Sequence, residues 1–519
     1  MTADGAPAVA GTAALLDAAV AAYRDDPAAL ARLEVARDRW RRPLRLALVG
    51  RVKSGKSTLL NALVGARIAP TDAGECTRVV TEYRHGGSPR IQLLGTDGRV
   101  RNLPVRRVGG GLTLDLAGEP VESVATLTVE WPSADLLETT VVDTPGISSL
   151  SVATSARTHD FLSADDGLSG ADAIVFLTRQ PQPEDLAVLA AFQASTAAGT
   201  APALATVAAP TTTITVLSRA DEVGAGRLDA LRAAAEVAQR LSADPAIRAV
   251  SSAVVPVAGL LALAGRTLRH GDFVAVRTLA DADPAAASAM LLTADRFLAA
   301  EPSVSLSAEV RAGLLDRLGL FGIRLSVALV RAGVADAAAL ADELLERSGL
   351  AALQRLVHVQ FSARAATVRA AATLGLVQAL LAEHPLPDPA PLLGEVERLR
   401  LALPDLAELE LLARCRAADG GPLPAGLRDE GERLLGAGGT TSGARLGLPE
   451  DTPAEALRST ALAALGRWRA AAGDPGAARA VRDASGVVVR ACEAVLATLD
   501  GWTVPGSGGP VDEPAASRT

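Results

Sequence analysis

The stretch Val49–Thr58, VGRVKSGKST, holds both lysines of the chain, Lys53 and Lys56; the rest of its 51 basic residues are arginine. It follows the apolar run Leu44–Gly50 (LRLALVG), which suits a buried strand, and opens into KSTLLNALVG, which suits a helix. Gly50, Gly55, Lys56 and Ser57 fit the pattern G-x-x-x-x-G-K-[ST] in the strand–loop–helix setting that the pattern requires. Backbone N–H groups of such a loop wrap phosphates, and the helix N-terminus adds a positive field. The expected nucleotide contacts are Gly50, Val52, Lys53, Ser54, Gly55, Lys56, Ser57 and Thr58. Lys56 is expected to bridge the β- and γ-phosphates, and the Ser57 hydroxyl to ligate Mg²⁺. A compact ammonium fits between phosphates where a planar guanidinium does not. The arginine elsewhere reflects a codon bias that also favours alanine and glycine.

Further motifs lie downstream in strand-end positions. TTVVDTPG places Asp143 after an apolar run, where its carboxylate can reach Mg²⁺ through a water, and puts the Gly146 N–H within reach of the γ-phosphate. VLSRADEVG places Asp221 after another strand. A carboxylate there accepts the N1 and N2 protons of guanine, a donor pair that adenine lacks. Ser218 and Arg219 stand where Asn or Thr and Lys are usual, and the aliphatic stem of Arg219 can lie along the base. A γ-phosphate-sensing threonine belongs between the first two motifs; PTDAGECTRVVTEYRHG offers Thr71, Thr77 and Thr81, and Thr77, just before a strand, is the choice for both sensing and metal ligation. Ala258 and Gly259, after AVVPV, are candidates for a backbone contact to guanine O6. The expected substrate is GTP and the expected metal Mg²⁺.

The 519 residues imply more than one core. Hydrophobic residues make up 49% and aromatics only 3%, an alanine- and leucine-rich balance that favours helix. A net charge of -8 supplies no global basic field, so no nucleic-acid partner is expected. Cys76, Cys415 and Cys492 make an odd, widely spaced set that fits a reducing compartment. The N-terminus lacks a basic n-region and Asp17 breaks its apolar run, which argues against a signal peptide. The uncharged run Leu186–Ser218 is punctuated by Gly199, Pro202 and Pro210, so it reads as helix, loop and strand rather than a membrane span.

Strands alternate with helices from residue 44 to about 275, which predicts a mostly parallel doubly wound sheet. Beyond that the pattern is helical to about 503. Residues 1–43 read as helices, 44–275 as the α/β P-loop domain, 276–503 as an elongated all-α helical bundle, and 504–519 as a disordered tail. Apolar residues at 340, 344, 350, 353, 357 and 361 keep helical spacing. The segment Arg317–Val330 reads as a core helix, with a membrane-inserting loop or a hinge as the other readings. His85 and His159 have no metal-spaced partner and are expected to be exposed or structural.

These motifs, with PTDAGECTRVVTEYRHG, VEWPSADLLETTVVDTPGISSL, SRADEVGAGRLDA, VPVAGLLALAGRTLR and LFGIRLSVALVRAGV, resemble the bacterial dynamin-like proteins, and more narrowly the mycobacterial isoniazid-inducible protein C family. The resemblance implies a dynamin-type GTPase domain followed by a helical neck and trunk, with the N-terminal helices packing beside later ones. It implies pairing of GTPase domains in a homodimer or higher oligomer, and membrane remodelling (bending, fusion or repair) on a lipid surface. It also implies a cytoplasmic protein peripheral to the inner face of the plasma membrane. Many dynamins carry Gln-Ser in the variable part of the phosphate loop, where this chain has Val52 and Lys53. Lys53 therefore joins Lys56 and Thr77 as a catalytic candidate facing the γ-phosphate or a partner domain; the other reading is a solvated loop lysine. The same departure motivates a second functional reading, a slow-turnover GTP-binding partner of a second dynamin-like subunit. A GTPase in ribosome or RNA work is a third, which the acidic balance disfavours.

Overall fold

A computed structural model describes residues 5–70, 79–108, 111–116, 118–145, 171–198, 212–299, 304–362, 364–416, 421–449 and 451–500. They form two compact units, divided at residues 41/42 and 362/363.

The first unit is built on an α/β sheet of nine strands among the described residues, in the order β11-β10-β9-β1-β8-β2-β7-β3-β4. The strands are β1 Leu44–Gly50, β2 Thr81–His85, β3 Arg90–Gly95, β4 Val100–Leu103, β7 Val124–Trp131, β8 Thr139–Asp143, β9 Ala173–Thr178, β10 Thr213–Ser218 and β11 Ala253–Val257. A separate hairpin pairs β5, Arg106–Val108, with β6, Gly111–Thr113. β9 and β10 are buried at every position, and β1 at all but Arg45, as expected of strands covered on both faces. The neighbours from β11 through β8 all run parallel. β2 is antiparallel to β8, and β3 is antiparallel to β7 and β4, while β2 and β7 are parallel. The parallel half therefore presents its C-terminal strand ends together, and those ends carry Gly50, Asp143 and Ser218.

The expected domain boundary after residue 275 falls inside this unit. One apolar core joins Leu217, Ala258 and Leu261 beside the sheet to Phe273, Leu314, Phe321, Leu340 and Leu344 on the following helices. Helical periodicity shows that a face is buried but not what buries it. The six spaced positions from 340 to 361 are all buried. They lie on two helices, Ala337–Arg347 and Leu350–Val357, and a π-turn, His358–Ser362. The break falls at Gly349, with φ of 81°, where a Cβ would lie 2.2 Å from the Pro256 carbonyl oxygen. The segment 317–330 lies in the core helix Ala308–Arg331, which is kinked at Gly319 (φ 65°).

The second unit is helical. The N-terminal helices Gly5–Ala22 and Pro27–Arg41 join the helices after residue 363. The Tyr23 hydroxyl donates to the His384 carbonyl at 3.0 Å, and Asp26 meets His384 Nδ1 at 2.6 Å. Arg32 pairs with Glu383 at 2.6 Å. Helices Ala454–Gly473 and Arg479–Leu499 bury Trp468, Val488 and Cys492 against Leu411 and Cys415. Buried charges here are paired: Arg445 with Glu408 at 2.9 Å and Arg416 with Glu432 at 3.5 Å. Arg364 donates to the Leu435 and Gly436 carbonyls. The tail 504–519 lies outside the described residues.

Candidate nucleotide site

β1 delivers Gly50 into the phosphate loop. No larger residue fits there, since a Cβ would lie 2.4 Å from the Leu177 carbonyl oxygen of β9 and 2.8 Å from Ser54 Oγ. The loop turns through left-handed backbone at Lys53 (φ 63°) and Gly55 (φ 95°). The helix Lys56–Val64 starts directly after Gly55, so its first N–H groups open toward the loop. Lys56 Nζ donates to the carbonyls of Gly50 (2.9 Å) and Arg51 (3.2 Å). Burial lowers the Lys56 pKa, and the nearby Asp143 carboxylate opposes that shift.

Asp143 ends β8, and the parallel register opposite Leu48 sets it beside the phosphate loop. Thr144 anchors the turn by donating its hydroxyl to the Leu48 carbonyl at 2.9 Å. Asp143 Oδ2 accepts from Ser57 Oγ at 3.4 Å, and buried Oδ1 has no hydrogen-bond partner among the described residues. Burial pushes the Asp143 pKa up to about 6, against Lys56 and the Ser57 hydroxyl. A buried carboxylate oxygen without a partner, next to the Ser57 hydroxyl, is a pair of oxygen donors of the kind that Mg²⁺ takes.

The facing loop follows β10. Ser218 closes the strand, Arg219 takes a left-handed turn (φ 53°), and Asp221 follows. Burial raises the Asp221 pKa, with the Glu222 charge adding and Arg219 and Arg179 opposing. A cavity of about 180 Å³ brings the two loops together: Ser54, Gly55 and Thr58 line one side, and Ser218, Arg219 and Asp221 another. Leu177, Val216 and Val257 supply an apolar floor. Gly259 lines the same cavity; Ala258 does not, and its N–H is spent on the Ser348 carbonyl at 2.9 Å.

Other expected residues are placed differently. Val52, Lys53, Lys56, Ser57 and Asp143 are not in that lining. Val52 is exposed, as is Lys53. Thr81 is buried on β2 and directs its hydroxyl to the Val79 carbonyl. Thr71, Thr77 and Gly146 lie outside the described residues, as does His159. His85 is exposed, with Nδ1 3.0 Å from the Ser133 carbonyl.

Three site features have no counterpart in the sequence reading. Arg219 also donates to the Lys53 carbonyl at 3.2 Å and to Glu222 at 2.6 Å. Glu222 in turn pairs with Arg179 at 3.2 Å and lines the cavity. Arg51 of the phosphate loop is held by Asp185 (2.8 Å) and Glu184 (3.2 Å), which raise its pKa. Adjacency to Asp221 was the one available signal for Glu222; Asp185 offered none.

A phosphate loop and strand-end aspartates on a largely parallel sheet have the layout of a P-loop GTPase domain, and residues 46–186 match the Dynamin family. Over 497 residues the chain is 41% identical to the Isoniazid-induced protein IniC of Mycobacterium tuberculosis, covering 93% of this chain and 97% of that one. The chain belongs to the IniC family of bacterial dynamin-like proteins. A bacterial dynamin-like protein of Nostoc punctiforme is 31% identical over 150 residues, 27% of this chain and 21% of that one. A solved structure of an oligomerised bacterial dynamin pair aligns with a TM-score of 0.33 at 11% identity, covering 79% of this chain and 61% of that one.

Proposed function

We propose that the chain binds Mg²⁺·GTP, hydrolyses it, and couples turnover to pairing of its GTPase domains and remodelling of a lipid surface. The carrying observation is the single cavity shared by Ser54, Gly55 and Thr58 of the phosphate loop and Ser218 and Asp221 of the base loop. Lys56 would leave the Gly50 and Arg51 carbonyls for the β- and γ-phosphates. Ser57 and Asp143, the latter through water, would hold Mg²⁺, which supplies charge neutralisation at the phosphates. Asp221 would accept from guanine N1 and N2, the Arg219 stem would lie along the base, and Gly259 would meet O6. Thr77 and Gly146 are proposed to order around the γ-phosphate, with Lys53 toward it or a partner domain. Hydrolysis then needs positioning of water and neutralisation of charge rather than covalent chemistry.

Purified protein with GTP and Mg²⁺ tests the enzymatic claim: phosphate release no faster than that of a Lys56→Ala variant sinks it. Liposome co-sedimentation and tubulation with a non-hydrolysable GTP analogue test the membrane claim. Among the described residues one helical run, Leu350–Glu383, has the length and hydropathy to cross a membrane, and 56% of its apolar window is buried. Peripheral attachment to the inner face of the plasma membrane, from the cytoplasm, is the proposed location and rests on the family resemblance.

The exposed Val52 and Lys53 favour a second reading. No side chain with the hydrogen-bonding capacity of Gln-Ser stands there, so the protein would turn over slowly and regulate a second dynamin-like subunit. Phosphate release that rises only on mixing with such a subunit supports this reading; fast turnover alone argues against it.

A further inference from the structure

A second cavity, of about 330 Å³, lies toward the N-terminal ends of β1 and β8, away from the nucleotide motifs. Its floor includes Leu46 and Val141, which are Cα partners across β1 and β8. Leu63 and Val64, from the last turn of the phosphate-loop helix, complete the apolar part. Every lining residue belongs to the first compact unit. The volume is within the range of small-molecule sites, roughly 300–1,000 Å³, and the mix of apolar floor and few polar groups is typical of them.

The polar groups sit on two walls. One is the β7–β8 connection with Asp135 and Glu138; the other is Gln354, His358 and Ser362. His358 and Ser362 bound the π-turn, a helix irregularity that often accompanies functional sites. Asp135 is neutralised by Arg266. Glu138 is exposed at the mouth, and its side chain has no hydrogen bond or ion pair among the described residues. The lining thus offers an apolar floor, one uncompensated carboxylate and the hydrogen-bonding groups of Gln354, His358 and Ser362.

We propose that this cavity binds a small organic monocation with an apolar body, a free amine carried on an aromatic or aliphatic frame. The apolar body would cover Leu46 and Val141, and the ammonium would meet Glu138. Occupancy would reach the nucleotide motifs directly, because each element of the floor carries one of them. β1 carries both Leu46 and Gly50, β8 both Val141 and Asp143, and the helix Lys56–Val64 joins Val64 to Lys56. The binding claim is independent of the nucleotide reading, and the coupling claim rests on it.

Calorimetric titration of the full chain with tryptamine, without nucleotide, is the test. One-site saturable binding is expected, at least fivefold tighter than that of 3-indolepropionate, which has a similar shape and the opposite charge. Leu137→Trp, at an exposed rim position, and Glu138→Gln are each expected to weaken tryptamine binding at least fivefold while thermal melts stay unchanged. Absent saturation, or equal binding of amine and carboxylate that both variants leave intact, overturns the site. GDP affinity measured with and without saturating tryptamine must shift by the factor by which GDP shifts tryptamine affinity. Intact tryptamine binding with unchanged GDP affinity overturns the coupling alone. GDP binding absent from every sample counts instead against the nucleotide reading.

Discussion

The Arg219 guanidinium donates to the Lys53 backbone carbonyl at 3.2 Å, joining two loops 166 residues apart in sequence. Both residues take left-handed backbone that side chains other than glycine disfavour, φ 63° at Lys53 and 53° at Arg219. The bond ties the two turns to each other beside the cavity that Arg219 lines. Arg219→Ala is expected to weaken binding of a fluorescent GDP about fivefold, the roughly 1 kcal/mol of one intramolecular hydrogen bond. Glu222→Gln, which removes two partly exposed ion pairs, to Arg219 and to Arg179, is expected to cost about twofold. An Arg219→Ala titration that matches the parent would show that the two loops hold their places without the bond.

Gly50→Ala puts a methyl group 2.4 Å from the Leu177 carbonyl oxygen and 2.8 Å from Ser54 Oγ. The first neighbour is strand backbone and yields little. The expected cost is about 1–3 kcal/mol of stability, as for other overpacked sites, together with loss of nucleotide binding. Urea unfolding and GDP titration of the variant check both halves.

Asp26 caps the helix Pro27–Arg41 and holds His384. Its pKa is lowered first by the Ala29 N–H, then by His384 and by the Ala28 N–H, with desolvation opposing. A lowered native pKa means stability that is present above the ordinary value of 3.8 and lost as pH falls through the native value. Asp26→Asn is therefore expected to lower Tm at pH 7, and the gap to the parent to close below pH 3.8. A gap independent of pH would assign the loss to geometry and not to charge.

Burial pushes the Cys415 and Cys492 thiols up to about 12. At pH 8 about one thiol in ten thousand is then ionised, and the thiolate is the reactive form. A Cys76→Ser protein is expected to release no thionitrobenzoate from Ellman's reagent while folded, and to titrate at both cysteines in denaturant. Rapid labelling of the folded protein would contradict the buried packing.

Much of the candidate site was legible because its motifs are local. A strand, a glycine loop and a helix announce Lys56 and Ser57 within ten residues, and strand ends announce Asp143 and Asp221. The contacts from Arg219 to Lys53 and from Arg51 to Asp185 cross the sequence, and no spacing rule connects them. Ala258 and Gly259 were indistinguishable as neighbours; the Ser348 carbonyl, on a helix turn far downstream, separates them. The extent of the sheet unit is hidden from local spacing for a related reason. Leu340 and Leu344 show helical spacing, but only the fold reveals that they face Leu261 beside the sheet.

The bond from Tyr23 to His384 spans 361 residues and lies within one compact unit. At about 5–20 residues per second of synthesis, the N-terminal helices leave the ribosome roughly 20–70 s before that partner exists. The sheet unit, made in between, can complete its own core meanwhile. The first helices, with Leu15, Leu16, Ala19 and Leu33 buried in the finished protein, must spend that interval with an uncovered apolar face. A nascent-chain holdase would find its binding site there, at the start of the chain.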